Sequence, residues 1–296
     1  MVVMDGVFVL DKAGGISSHD AVGAMRRIAG TRRVGHLGTL DPIATGVLPL
    51  VVGKATRLSQ FFLGHDRAYE AWIRCGFATD SYDRAGETVG ERQHVELDPE
   101  RIEEVLGQFR GKILQTPPAV SAKKIGGVPA YKLARQQKPV ELQAVEVEIY
   151  ELDLLRTEGD RFLIHVRCST GTYIRTLAHE VGIRLGCGAH VDELRRTAVG
   201  EFSLTDARTK AELESLSLEG RLGEAIVPSE ELLPEMPAQR VDRNAAARIA
   251  HGQDFEIASF PSASPARRVK AIGPDGRLLA IGELKLPTLY HPMIVF

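Results

Sequence analysis

Residues 35–49 read GHLGTLDPIATGVLP. Three glycines and two prolines within these fifteen residues surround one carboxylate, Asp41. Pro42 fixes its own φ, removes a backbone donor and biases Asp41 toward an extended conformation. A loop of this kind can present an acid into a cleft. The same composition also describes a plain Asp-Pro turn. Upstream, VFVL (Val7–Leu10) reads as a short strand. KAGGISS then leads into an amphipathic helix capped by Ser17 or Ser18, with Val22, Met25 and Ile28 at helical spacing and Gly30 as its stop. TRRVGHLGTLDP is placed in a loop, and Val47–Val52 is a β-branched run interrupted by Pro49.

Further out, Arg67–Phe77 alternates as a strand does, and Pro99–Phe109 is a helix with Asp98 as its cap. Ala144–Leu155 and Arg161–Cys168 read as strands, and Thr172–Leu185 as a helix with Ile174, Leu177, Ala178, Val181 and Leu185 on one side. A further helix is expected over Thr205–Leu216, with Asp206 near its start. Strands and helices mix without regular βαβ alternation, which predicts an α+β fold with a mixed, mostly antiparallel sheet and flanking helices. A boundary falls near Pro234–Pro237, giving one domain over 1–236 and a smaller one over 237–296. The second has one helix, Asp242–His251, and short strands at Val269–Ile272, Leu278–Leu284 and Met293–Phe296, as a small β-barrel would.

Composition bounds the function. At 296 residues, 44% hydrophobic and 26% charged, with 29 glycines and 15 prolines, the chain is neither disordered nor fibrous. No apolar run is long enough to span a membrane, and MVVMDGVFVL lacks the basic start of a signal peptide. Cys75, Cys168 and Cys187 are odd in number and far apart, which fits free thiols and a cytoplasmic setting. Net charge is −2, yet 117–138 holds Lys123, Lys124, Lys132, Arg135 and Lys138 with no acid, whereas 141–160 and 211–236 each hold seven acids against one base. Such segmentation suits a polyanion held along one face, although charge by itself favours the plainer reading of solvated faces with no partner. Several formal motifs lack their parts. GVLPLVVGKAT has the wrong glycine spacing for a P-loop, GISSH is not Gly-x-Ser-x-Gly, and no His-Cys or H-E-x-x-H set has metal spacing. STGTYIRT (Ser169–Thr176) places Arg175 in the first turn of a helix; it acquires chemical meaning if it faces a carboxylate and keeps it ionised.

The Asp41 loop closely resembles the active-site motif of bacterial tRNA pseudouridine synthases of the TruB type, which isomerise uridine 55 in the T loop. The resemblance runs on through DKAGGISS, RAYEAWIRCGFATDSYDRAGE, PPAVSAKKIGGVPAYKLAR and CSTGTYIRTLAHEVGIRLGCGAHVDELRRTAVGEF, in order along nearly the whole chain. Two positions depart from it: Ala13 stands where proline is usual, and Val120 where tyrosine often stands. The resemblance implies a pseudouridine synthase fold followed by a PUA-like RNA-binding domain. It implies Asp41 as the catalytic aspartate, Tyr69 as the tyrosine stacking on the target base, and Arg175 as the partner of the aspartate. Tyr173 would be a pocket neighbour, His36 the histidine entering the T loop, and Leu194 an apolar wall. Lys123, Lys124, Lys132 and Arg135 would belong to an RNA-gripping insertion over about 117–139. The implied partner is the T stem-loop of tRNA, and nothing calls for an obligate protein partner or more than a monomer. Isomerisation is redox-neutral and moves no atoms in or out, so no cofactor and no metal is expected.

Overall fold

The computed structural model describes residues 4–119, 124–125, 128–129, 142–257 and 266–296. Strand β1 (Gly6–Lys12) is followed by α1 (Ser18–Ile28), β2 (Val34–His36) and β3 (Thr45–Val52). A 3-10 helix (Gly53–Phe62) leads to β4 (Arg67–Cys75), α2 (Pro99–Gly107) and β5 (Gly111–Gln115). After the insertion come β6 (Val145–Glu158), β7 (Arg161–Cys168), α3 (Ile174–Leu185), β8 (Ala189–Val199) and α4 (Lys210–Leu218). The principal sheet has the order β1-β3-β8-β4-β7-β6-β5, with β2 paired to β3 outside this path. Its pairings are antiparallel except β3 with β8 and a short parallel bridge from β1 to Arg208–Thr209.

One face of the sheet buries Phe8, Leu48, Leu50, Ile73, Ile164 and Leu177 together with α1, α2 and α3. Ser17 caps α1 reciprocally: its Oγ accepts from Asp20 N–H at 3.1 Å and its own N–H donates to Asp20 Oδ2 at 3.0 Å. Gly186, at φ 79, ends α3 in the left-handed conformation that favours glycine.

A second sheet follows, built from β9 (Ala238–Arg240), β10 (Phe255–Glu256), β11 (Arg268–Ile272), β12 (Leu278–Leu286) and β13 (Leu289–Val295), in the order β9-β11-β12-β13-β10. Helix α5 (Arg243–Ala250) packs on it through Ile249, against Phe255, Val269 and Tyr290. Ile272, Ile281 and Ile294 join Val7, Leu58 and Phe62 in one apolar cluster, so the second sheet packs against the first body. The buried Lys270 reinforces the contact by donating to Glu230 O at 3.0 Å and Leu232 O at 2.7 Å.

The α+β expectation holds, with three differences in detail. The helix expected over Thr205–Leu216 runs over Lys210–Leu218. Asp206 instead closes a turn by accepting from Ser203 N–H and Oγ–H, and the real helix start is the Thr209–Glu212 capping box. Part of the loop read over TRRVGHLGTLDP is β2, which β3 recruits although it is three residues long. Residues 189–199, whose DELRR charges hide a period of two, form the central strand β8, with register shifts at Asp192 and Thr197.

Candidate active site

The Asp41 loop is held by its own carbonyls. Gly38 O and Thr39 O each accept from Arg196, at 3.1 Å. Leu40 O accepts from Ser18 Oγ at 3.0 Å, while Leu40 N–H donates back to the same oxygen at 2.8 Å. Asp41 O accepts from Ala44 N–H at 3.0 Å, and Pro42 O accepts from Gly15 N–H at 2.8 Å and Lys12 Nζ at 3.4 Å. Five consecutive carbonyls are thus satisfied, that of Asp41 by Ala44 within the loop and the other four from β1, α1, the turn between them and β8, which turns an irregular segment into a rigid one. Gly46 is obligatory where the loop enters β3. Its φ is 100, and a Cβ there would stand 2.1 Å from Arg196 O.

Arg196 has no exposed surface, and among the described residues no carboxylate is bonded to it. Its Nε donates to Val47 O at 2.8 Å, and it stands opposite Tyr69 across the β4–β8 pairing. Burial pushes the Tyr69 hydroxyl above its ordinary value, so the phenol stays neutral. Lys12 is likewise buried, donates to Ala13 O and Ile16 O at 2.9 Å, and is lowered to about 8 by burial, against the pull of nearby Asp41.

Arg175 reaches Asp41 as a fork: Nε to Oδ2 at 2.8 Å and Nη2 to Oδ1 at 3.1 Å. Two planar N–H···O bonds fix the carboxylate in angle as well as distance. Arg175 is the second residue of α3, at the positive end of a helix, where a cation is poorly placed unless acids surround it. Asp41 supplies one and Asp83 the other, 3.7 Å from Nη1, and Nη1 also donates to Ser81 O at 3.1 Å. Tyr82 between them has φ 62, and its ring stacks on His179 one turn further along α3 at 3.9 Å. The start of α3 is itself anchored by Gln115, which accepts from Tyr173 N–H at 2.7 Å and donates to Tyr173 O at 3.0 Å.

Asp41, Tyr69, Tyr173 and Leu194 line one cleft of about 560 Å³, with Arg67, Pro117, Val147 and Thr170. Of the residues singled out in the sequence, the fold therefore gathers Asp41, Tyr69, Tyr173, Arg175 and Leu194. His36 lies in β2, off the wall of this cleft; burial lowers its pKa and its Nδ1 is buried without a partner. Lys123, Lys132 and Arg135 lie outside the described residues, as does Val120, and Lys124 is placed only as part of a two-residue strand, Lys124–Ile125. Arg196, Lys12, Asp83 and Gln115 were missed by sequence reading. The one signal for Arg67 was its position two before Tyr69 in an alternating strand. Among the described residues no group of three or more His, Cys, Asp or Glu is placed to hold a metal, and no helix is long and apolar enough to cross a membrane.

Comparison with known proteins gives a consistent picture. The family model for the TruB family pseudouridylate synthase N-terminal domain matches residues 26–174, and that for the tRNA pseudouridylate synthase B C-terminal domain matches 175–234. The chain is 54% identical over 292 residues to tRNA pseudouridine synthase B of Solibacter usitatus, covering 99% of this chain and all of the relative. It is 42% identical to the protein of that name from Chromohalobacter salexigens, over 86% of this chain and 82% of the other. Among solved structures it is similar to a chain of an H/ACA RNP bound to a substrate RNA containing 2′-deoxyuridine. That match has TM-score 0.75 and 26% identity, and covers 99% of this chain and 86% of the other.

Proposed function

The chain belongs to the TruB family of tRNA pseudouridine synthases, and from that premise we propose that it converts uridine 55 of the T loop to pseudouridine with Asp41 as its catalytic carboxylate. The observation that carries this reading is the Arg175 fork on Asp41 at the edge of a cleft lined by Tyr69, Tyr173 and Leu194.

The reaction breaks N1–C1′, turns the base and joins C5 to C1′. The target must first leave its stack, at a cost of a few kcal/mol. Stacking on the Tyr69 ring returns about 1–3 kcal/mol of that. An aromatic face and the Leu194 wall retain the detached base without fixing its in-plane angle, so the base can turn. Asp41 has three openings on the nucleotide: addition to C6, attack at C1′, and removal of the 2′ proton. Each needs the carboxylate ionised, and the guanidinium that holds both its oxygens favours that form. His36 is assigned to the T loop beside the flipped base, outside the cleft wall. Residues 1–236 form the catalytic domain, with the basic insertion gripping RNA, and 237–296 form a PUA-like RNA-binding domain.

The test uses an unmodified tRNA transcript and the wild-type protein, with pseudouridine mapped by carbodiimide labelling and primer extension. One new stop at the T-loop uridine is expected. A stop at another uridine overturns the position, and binding with no stop overturns the reaction.

A further inference from the structure

The turn between Thr79 and Arg84 meets α3 at two places one helical turn apart. Ser81 O and Asp83 face Arg175, and the Tyr82 ring between them lies on His179. Arg175 and His179 are four residues apart on α3, so both stand on the same side of the helix. The two rings are 3.9 Å apart between centroids and within 11° of parallel. Both residues depart from what plain packing would choose. Tyr82 has φ 62, a backbone conformation that favours glycine and is an outlier for a bulky side chain. His179 has its Nδ1 buried without a hydrogen-bond partner among the described residues, and burial lowers its pKa against the pull of Glu180. An aliphatic side chain would fill that place without an unpaired polar atom, so what the histidine adds is a flat, neutral ring.

The other edge of the turn hangs on the sheet. Val191 of β8 donates its N–H to Tyr82 O at 3.0 Å and accepts from Arg84 N–H at 2.9 Å. Inside the turn, Thr79 Oγ1 donates to Asp83 O at 2.7 Å, and Asp83 Oδ1 accepts from Ser81 Oγ at 2.7 Å and from Ala85 N–H at 3.0 Å. These bonds shape the turn and tie it to β8, but they leave its tilt toward α3 open. That tilt decides whether Ser81 O stays 3.1 Å and the Asp83 carboxylate 3.7 Å from Arg175, whose fork aims Asp41. Strained backbone persists where its surroundings over-determine it, and such residues cluster at functional sites. On the α3 side of this turn, the ring stack supplies that constraint.

We propose that Tyr82 and His179 are positioning residues for the isomerisation: their stack holds the turn against α3 and, through Ser81 O and Asp83, keeps the Arg175 fork aimed at Asp41. This role rests on the catalytic reading of Asp41 above. Loss of the stack leaves Asp41, Arg175 and the cleft wall present but lets the turn draw back from the guanidinium. The carboxylate is then misplaced while the surface that binds RNA is unchanged. A displacement of about 1 Å at a reacting group, even from a change distant from it, costs up to about 100-fold in rate.

The experiment measures tritium released from C5 of labelled uridine under single-turnover conditions, together with tRNA affinity, in the full-length protein. His179→Ala removes one ring and Tyr82→Asn the other; asparagine tolerates the left-handed backbone, so the turn keeps its shape. Each variant is expected to lose about 10- to 100-fold in bound-state rate with tRNA affinity within about threefold of wild type, and the double variant is expected to be no slower than the slower single. His179→Phe restores a flat ring without the buried nitrogen and is expected to recover to within about threefold of the wild-type rate. Thermal melting checks that the variants are folded. His179→Ala or Tyr82→Asn at the wild-type rate, His179→Phe as slow as His179→Ala, or a loss confined to affinity overturns the proposal. Failure of the enzymatic reading is separate, because it shows as wild-type protein that binds tRNA and releases no tritium. The stack is then judged from the crystal structure of His179→Ala, where Ser81 O is expected to withdraw from Arg175 and an unmoved turn overturns its role.

Discussion

Replacing Arg175 by lysine keeps the charge and removes the fork. The side chain is only 5% exposed, and its bonds include those of 2.8 and 3.1 Å to the two oxygens of Asp41 and one of 3.1 Å to Ser81 O. A lysine ammonium can keep one bond to Asp41, so the second carboxylate bond and the Ser81 bond are lost. Hydrogen bonds to charged groups contribute about 1.5–3 kcal/mol each in buried settings. Asp41 is about one-third exposed, so its share is discounted for solvent. The combined loss is then about 2–4 kcal/mol, felt as misplacement of the carboxylate rather than as weaker RNA binding. At about 1.36 kcal/mol per decade, the bound-state rate should fall about 30- to 1000-fold, with affinity for tRNA within about threefold of wild type. The assay follows tritium released from C5 of labelled uridine under single-turnover conditions, since C5 exchanges its hydrogen for C1′. A folded Arg175→Lys protein with a rate within threefold of wild type would refute the claim that the fork sets the carboxylate.

Three other outcomes follow from the same geometry. Arg196→Met strips donors from Gly38 O, Thr39 O and Val47 O while removing a buried cation. A net loss of about 2–4 kcal/mol in urea unfolding is expected, and a change below about 0.5 kcal/mol would mean that the loop holds itself. Gly46→Ala combines φ 100 with a 2.1 Å approach to Arg196 O and should cost about 3 kcal/mol or prevent folding, whereas Gly159→Ala, at φ 59 with open space around it, should cost about 1 kcal/mol; equal costs would contradict this. Burial lowers the pKa of His190 below its ordinary value, so on acidification the unfolded chain takes up that proton first and stability falls from neutral pH downward. His190→Gln should lose less stability than wild type between pH 7.5 and 5.5, and an unchanged pH dependence would be inconsistent with a neutral buried imidazole.

The loop at Gly35–Pro49 was legible because glycine and proline are residues whose backbone behaviour is written in their covalent structure. Arg175 could be placed on the first turn of its helix for a similar reason: STGTY ends a strand and breaks before a clear helical period. Tyr69 lay in a strand with plain alternation. The residues that hold the loop were not legible. Arg196 and Lys12 act on backbone carbonyls, which carry no sequence signature, and a cation is almost never fully buried without a partner. In β8 the run DELRR breaks alternation at its register shifts, so a central strand looks like solvated charge. Asp83 sits in a turn whose Ser and Asp residues look local, and only the tertiary fold carries it to Arg175. The Thr205 helix start failed because Ser203 and Asp206 form the same side-chain-to-backbone bonds in a turn that they would form at a cap.

Under the proposed function, the carboxylate of Asp41 performs the chemistry while the rest of the cleft binds the RNA. Asp41→Ala, incubated with unmodified tRNA transcript at saturating protein, tests this most directly by mapping pseudouridine alongside a measurement of tRNA affinity. The expected result is no pseudouridine after many wild-type half-times, with affinity within about threefold of wild type. Detectable pseudouridine in the T loop from this variant would contradict it.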